Sequence, residues 1–188
     1  MGSNSQKFVL TGCSGSGKTT MCELLTSSYK TFPEVASELI SQGYNAPINS
    51  GLTSRSFPLE VLDKRIEHFR QSKNSKISIF DRGIPDSLGF SYYLKNEASA
   101  SLLNAIKECR YSHVLLFPPW EEIYTNNEIR QESFQLAQEI YEYIISAYTN
   151  SGYKMTIVPK LCISERLEFI NDFISKFNYF NISTKYSP

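Results

Sequence analysis

The chain alternates between short, dense apolar runs and longer stretches whose apolar residues recur every three or four positions. Five runs read as buried strands, at residues 7–11, 29–32, 77–80, 113–117 and 155–158. His113-Val114-Leu115-Leu116-Phe117 is the densest, and Pro118-Pro119 stops it. Between the runs, spacing predicts helices. One covers residues 20–25, and another covers 33–40, opening on Pro33, a residue suited to a first helical turn. Leu59, Leu62, Ile66 and Phe69 place a helix over 59–69, with two more over 86–94 and 99–109. Phe134, Ala137, Ile140, Tyr141, Ile144 and Tyr148 mark a long helix ended by Gly152, and a last one runs over 164–177. The segments 43–58 and 121–131 are polar, and the first is long enough to expect a functional loop. Strands alternating with helices predict one α/β domain over residues 1–188, a parallel sheet covered on both faces. Residues 1–6 read as a polar leader or tag, and 178–188 as a loose tail.

The junction of the first strand and first helix carries the clearest chemistry. Gly12-Cys13-Ser14-Gly15-Ser16-Gly17-Lys18-Thr19 fits G-x-x-x-x-G-K-[ST], the phosphate-binding loop, with a strand before it and a helix after it. Its glycines let successive backbone N–H groups turn toward one anion, and the helix adds the positive end of its dipole. In this pattern Lys18 reaches the β- and γ-phosphates, the Thr19 hydroxyl holds Mg²⁺, and Thr20 extends the nucleotide seat into the helix.

Composition narrows what the nucleotide is used for. The 188 residues and 41% hydrophobic content suit one domain with a sizeable core. Lys+Arg and Asp+Glu balance at 19 each, so nucleic-acid binding by bulk charge is not expected. The four cysteines, Cys13, Cys22, Cys109 and Cys162, form no C-x-x-C pair, which argues against zinc or a disulfide framework and for a cytoplasmic setting. No run is long and apolar enough for a transmembrane helix.

Phosphoryl transfer also needs a metal-linked carboxylate, a site for the acceptor and positive charge at the transferring group. Asp81 ends an apolar strand, where ligand crevices of open sheets lie, and is the candidate second metal residue beside Thr19. Its alternative is a turn aspartate capping the next helix. Arg82 would clamp an acceptor phosphate or carboxylate, or else form a surface ion pair. Glu34, just past the second strand, is a candidate general base, against the ordinary preference for acids in first helical turns. Glu38 is a weaker version of the same idea. Arg130, in the polar stretch after Pro118-Pro119, would close onto the γ-phosphate, or else lie on a helix surface. His68 and His113 read as structural.

Taken together, residues 12–19, Pro33-Glu34-Val35-Ala36, Phe80-Asp81-Arg82-Gly83-Ile84-Pro85-Asp86, Phe117-Pro118-Pro119-Trp120, Arg130, Gly152-Tyr153 and Ser164-Glu165-Arg166 fall in a recognisable order. The chain resembles the kinase-like P-loop "AAA domain" ATPase family, related to the nicotinamide riboside kinase domain and other nucleoside and nucleotide kinases. The resemblance implies a three-layer P-loop NTPase with a five-stranded parallel sheet in the order 2-3-1-4-5 and a small lid. It also implies Asp81 at the metal, Arg130 in the lid and Arg166 near the nucleotide base. Two positions depart from the family pattern: Ser37 stands where arginine is common, and Asn127 where aspartate is common.

The expectation is therefore a Mg²⁺-dependent kinase using ATP, with GTP the other candidate donor, on a nucleoside- or nucleotide-like small-molecule acceptor, and with a homodimer as a candidate assembly. The alternatives are a nucleotide-binding regulatory module or slow NTPase read by a partner and, behind it, a polynucleotide kinase.

Overall fold

The computed structural model describes residues 5–44, 56–125 and 133–183. Strands β1 (Gln6–Gly12), β2 (Lys30–Phe32), β3 (Ile77–Asp81), β4 (His113–Phe117) and β5 (Met155–Ile157) form one parallel sheet in the order β2-β3-β1-β4-β5. The connecting helices are α1 (Lys18–Leu25), α2 (Val35–Ser41), α3 (Ser56–Gln71), α4 (Ile84–Tyr93), α5 (Ala100–Glu108), α6 (Phe134–Asn150) and α7 (Ile163–Ser183).

Side chains alternate across each strand, so continuous apolar runs supply both faces of the sheet. Val9, Phe80 and Val114 meet Leu62 of α3, Leu88 of α4, Ile106 of α5 and Ile144 of α6 on one face. Phe8, Leu10, Ile79, Leu115 and Phe117 meet Met21 and Leu25 of α1 and Ile170 and Ile174 of α7 on the other. This is the three-layer arrangement expected of the sequence. On the first face α4 and α6 approach unusually closely, because a Cβ at Gly89 would lie 2.9 Å from the Ile144 Cα. That approach brings the end of α6 over the start of α4, where the site is built.

Caps explain where boundaries moved relative to the apolar spacing. Helix α2 begins at Val35 rather than Pro33, since Glu34 itself caps it by accepting from Ala36 N at 3.1 Å and Ser37 N at 2.6 Å. Helix α4 starts two residues before the expected Asp86, because the Asp86 carboxylate accepts the Gly83 N–H at 2.8 Å and closes the first turn. Helix α7 runs on to Ser183, and Phe173 and Phe177 anchor it against His113 and Phe8. His113 is therefore a packing residue, as is His68, whose ring lies 5.1 Å from that of Phe32. No helix among the described residues is long and apolar enough to cross a membrane. Most of the 43–58 loop, and the segment carrying Asn127 and Arg130, lie outside the described residues.

Candidate active site

The strand order puts β1 between β3 and β4, so their C-terminal ends converge on the glycine-rich loop. Gly12 pairs with Phe117, and Leu10 with Asp81. Gly12 has φ +121°, and Cys13 N donates to Phe117 O at 3.0 Å, so the chain turns away from the sheet against the β4 backbone. Gly17 has φ +87° and caps α1 with no side-chain partner, leaving first-turn N–H groups of α1 for an anion.

Lys18 is buried and donates to Gly12 O at 3.4 Å, to Ser16 Oγ at 3.4 Å and to Cys13 O. Burial, reinforced by the Arg82 charge, pulls its ammonium down to about 7, against the pull of Asp81 and Asp86. A phosphate would supply the missing negative charge.

Thr19 Oγ1 donates to Asp81 Oδ2 at 2.7 Å. Burial raises the Asp81 pKa, with Lys18 and the Thr19 hydroxyl acting in the opposite direction. Its other oxygen, Oδ1, is buried with no hydrogen-bond partner. A desolvated, half-satisfied carboxylate touching a hydroxyl is a hard-oxygen donor set, and it fits Mg²⁺ with its retained waters.

Arg82 follows Asp81 in the left-handed region, at φ +68°. For a non-glycine residue that conformation costs on the order of 1–3 kcal/mol. It is held by Arg82 N donating to Leu10 O at 2.9 Å and by the guanidinium, whose Nη1 contacts Asp86 Oδ1 at 2.9 Å and Gly12 O at 3.3 Å. The expected surface ion pair is thus a buried one. Asp86 also accepts from Thr11 Oγ1 at 2.8 Å and from the Tyr148 hydroxyl at 2.7 Å. Burial opposes its charge, yet Arg82, Arg65 and the hydrogen bonds from Gly83 N and the Tyr148 hydroxyl hold the carboxyl below its ordinary range. One fully buried carboxylate thereby ties β1, α4, α6 and Arg82 together beneath the phosphate loop.

Glu34 lies at the end of β2, where Phe32 pairs with Phe80 just before Asp81. Burial would raise its pKa, but Arg82, Arg65 and the Ser37 N–H bring it down, so the group is a carboxylate at neutral pH. Arg65 of α3 approaches Glu34 Oε1 at 3.7 Å and donates to Ser87 Oγ at 2.7 Å. Arg65 was not singled out from the sequence, although its place between Leu62 and Phe69 on the apolar stripe of α3 was the available signal. Glu38 turns elsewhere, pairing with Lys64 at 3.0 Å near the surface.

Arg166, from the start of α7, donates to Ser16 O at 2.7 Å, and its guanidinium lies 4.9 Å from the Phe117 ring and 5.4 Å from that of Trp120. A Cβ on Gly17 would lie 2.8 Å from Arg166 Nη1, so the third glycine of the loop leaves room for this arginine.

A cavity of about 1700 Å³ runs along these residues. Trp120, Ile123, Leu161 and Arg166 line one end, Ser14, Lys18, Thr19 and Asp81 the middle, and Glu34, Phe57, Arg65, Arg82, Ser87 and Phe90 the other. Phe57 of α3 lines it.

The 2-3-1-4-5 parallel sheet with a glycine-rich loop between β1 and α1 is the fold of a P-loop domain. Residues 7–166 match the family described as AAA domain, and the chain belongs to that family. Its fold is similar to deoxyadenosine kinase from M. mycoides in a structure with dCMP and dCDP bound, at 17% identity and a TM-score of 0.67, covering 91% of this chain and 100% of that one. It is also similar to thymidylate kinase from Candida albicans, at 16% identity and a TM-score of 0.65, covering 93% of this chain and 92% of that one. NadR protein in complex with NR matches at 15% identity and a TM-score of 0.69, over 92% of this chain but 51% of NadR. No curated protein matches the chain.

Proposed function

We propose that the protein is a Mg²⁺-dependent kinase that moves the γ-phosphoryl group of ATP to a hydroxyl of a nucleoside- or nucleotide-like acceptor. One observation carries this reading: the cavity lined by Lys18 and Asp81 is also lined by Glu34, Arg65 and Arg82 and by apolar residues of α3 and α4, leaving room beside the phosphate loop for a second molecule. A protein that only bound or hydrolysed a nucleotide would need a place for water there, not a compartment with apolar walls of Phe57, Val61, Leu62 and Phe90.

The roles follow from position. The backbone of residues 13–17 and Lys18 hold the donor phosphates, while Arg166 and Trp120 border the site of the base. Thr19 and Asp81 would hold Mg²⁺, whose contribution when bound is to neutralise phosphate charge. Glu34, ionised, accepts a hydrogen bond from the acceptor hydroxyl and takes its proton late in a loose transfer. Arg82, set by Asp86, neutralises charge developing on the transferring group. Arg130 is proposed to reach the same group from the segment after Trp120.

Incubation with γ-labelled ATP, Mg²⁺ and a panel of nucleosides and nucleotides tests the reading. A labelled acceptor is the expected result. Release of free phosphate alone would make the chain a slow hydrolase or a nucleotide-reading module instead.

A further inference from the structure

Arg65 lies in the cavity wall with more hydrogen-bond donors than its protein neighbours accept. It is 4% exposed and stands one turn beyond Val61 and Leu62, on the face of α3 that lines the cavity. Nη1 donates to the neutral Ser87 Oγ at 2.7 Å. Nη2 comes within 3.7 Å of Glu34 Oε1, beyond hydrogen-bond length, and Nε is buried with no partner among the described residues.

A guanidinium presents its donors in planar pairs, and the Nε–Nη2 edge is the one that takes two acceptor atoms side by side. In Arg65 that edge carries no hydrogen bond to the described residues. Glu34 does not close onto it, because both carboxylate oxygens are engaged at the start of α2. Oε1 accepts Ala36 N at 3.1 Å, and Oε2 accepts Ser37 N at 2.6 Å. Swinging the carboxylate to Arg65 would uncap that helix. Arg82, by contrast, is matched by Asp86 at 2.9 Å. Unmatched donors in a buried wall are costly, and the cavity that Arg65 lines is where a partner for them can enter.

Resting on the kinase reading above, we infer that Arg65 is a specificity-determining residue that takes two adjacent hydrogen-bond acceptor atoms of the acceptor molecule on its Nε–Nη2 edge. The ligand chemistry is a fork: a ring oxo group beside an unprotonated ring nitrogen, or two oxygens of a phosphate. Ser87 holds the guanidinium plane through Nη1. A bare polyol has no such pair to offer.

Acceptors that differ only in the fork test this with the intact protein, Mg²⁺ and γ-labelled ATP. Inosine is paired with 7-deazainosine, cytidine with 3-deazacytidine, and each nucleoside with its 5′-monophosphate. Each pair is run with the wild type and with Arg65→Lys, which keeps the charge beside Glu34 and loses the planar edge. The expected result is a preference for one fork over its control of about ten- to a hundredfold in kcat/KM, carried by KM, that falls to about twofold in Arg65→Lys. A ring preference assigns the edge to the base, and a monophosphate preference assigns it to phosphate. Wild-type use of both members of every pair alike overturns the inference, as does an equal loss for both members in Arg65→Lys. Either outcome leaves Arg65 as a support for Glu34 and the kinase reading standing. Should Arg65→Lys not fold, Ser87→Ala releases Nη1 instead: a narrowed preference supports the assignment and an unchanged one overturns it. If no compound is labelled, the same pairs are titrated by calorimetry with a non-hydrolysable ATP analogue bound. The fork preference in binding then supports the edge, binding without it overturns the inference alone, and no binding of any compound removes the inference and the kinase reading together.

Discussion

Thr19 and Asp81, separated by 62 residues of chain, meet in a 2.7 Å hydrogen bond, and the second oxygen of Asp81 is buried without a partner. Burial raises the Asp81 pKa, so in the absence of a cation its charge is a cost to the fold. Asp81→Asn should therefore leave the melting temperature unchanged or raise it, while abolishing the Mg²⁺ dependence of nucleotide binding. Thermal melts with and without Mg²⁺ read both. A melt lowered by several degrees would mean that the Asp81 charge is structural.

On the kinase reading, Lys18 should couple nucleotide binding to protons. Its folded value of about 7 lies below that of a free lysine, so above pH 7 the ammonium is increasingly neutral in the nucleotide-free protein. Phosphate raises that value, so binding at pH 8 should take up about one proton from this group, and affinity should be flat below pH 7 and fall above it. Calorimetry in buffers of different ionisation enthalpy, compared with Lys18→Met, measures the uptake. The linked effect on stability has the same origin: where Lys18 is neutral in the folded chain and charged in the unfolded one, stability rises with pH.

Asp86 is fully buried and accepts from Thr11, Gly83, Arg82 and Tyr148. Asp86→Ala leaves the Arg82 charge buried and unmatched, for an expected loss of about 3–5 kcal/mol in urea unfolding. Tyr148→Phe removes one donor and should cost about 1–3 kcal/mol. Because the folded Asp86 pKa is lowered, its stabilising contribution is complete above the unfolded carboxyl value and is lost as pH falls through the folded one. Acid titration of the wild type against Tyr148→Phe should place the variant's unfolding at higher pH.

Arg166 joins the phosphate loop to the Trp120 end of the cavity through Ser16 O and the rings of Phe117 and Trp120. Arg166→Lys keeps the charge and loses the planar fork, so the Kd for ATP should rise about tenfold with the fold intact. Unchanged affinity would assign Arg166 to loop stability alone.

Glu34 and Arg65 approach each other at 3.7 Å in the cavity wall, on what the kinase reading makes the acceptor side. Glu34→Gln should lower kcat by about 10²–10⁴-fold with little change in ATP affinity, the magnitude of a lost general base. Arg65→Met should raise KM for the acceptor more than it lowers kcat, because it leaves the Glu34 carboxylate unpaired in the compartment. Steady-state kinetics at saturating ATP separate the two.

Much of this molecule was legible in its residues. The five apolar runs identified the five strands of the described residues, because burial on both faces of a parallel sheet leaves a contiguous signal. The phosphate loop was legible because backbone geometry and lysine chemistry impose a fixed local spacing on residues 12–19. Asp81 could be placed at a strand end by the same local reasoning, and its contact with Thr19 agrees with that placement. What the sequence could not determine was how side chains far apart in the chain share charge. Arg82 read as an acceptor clamp or a surface ion pair until Asp86 was found against it; Glu34 read as a general base or a first-turn acid, and neither reading foresaw its cap of α2 or Arg65 beside it. Arg65 itself was hidden as one polar residue on an amphipathic helix. Ion pairing falls off over a few ångströms and has no periodicity along the chain, so only the packing of α3, α4 and α6 against the sheet decided which carboxylate each arginine met.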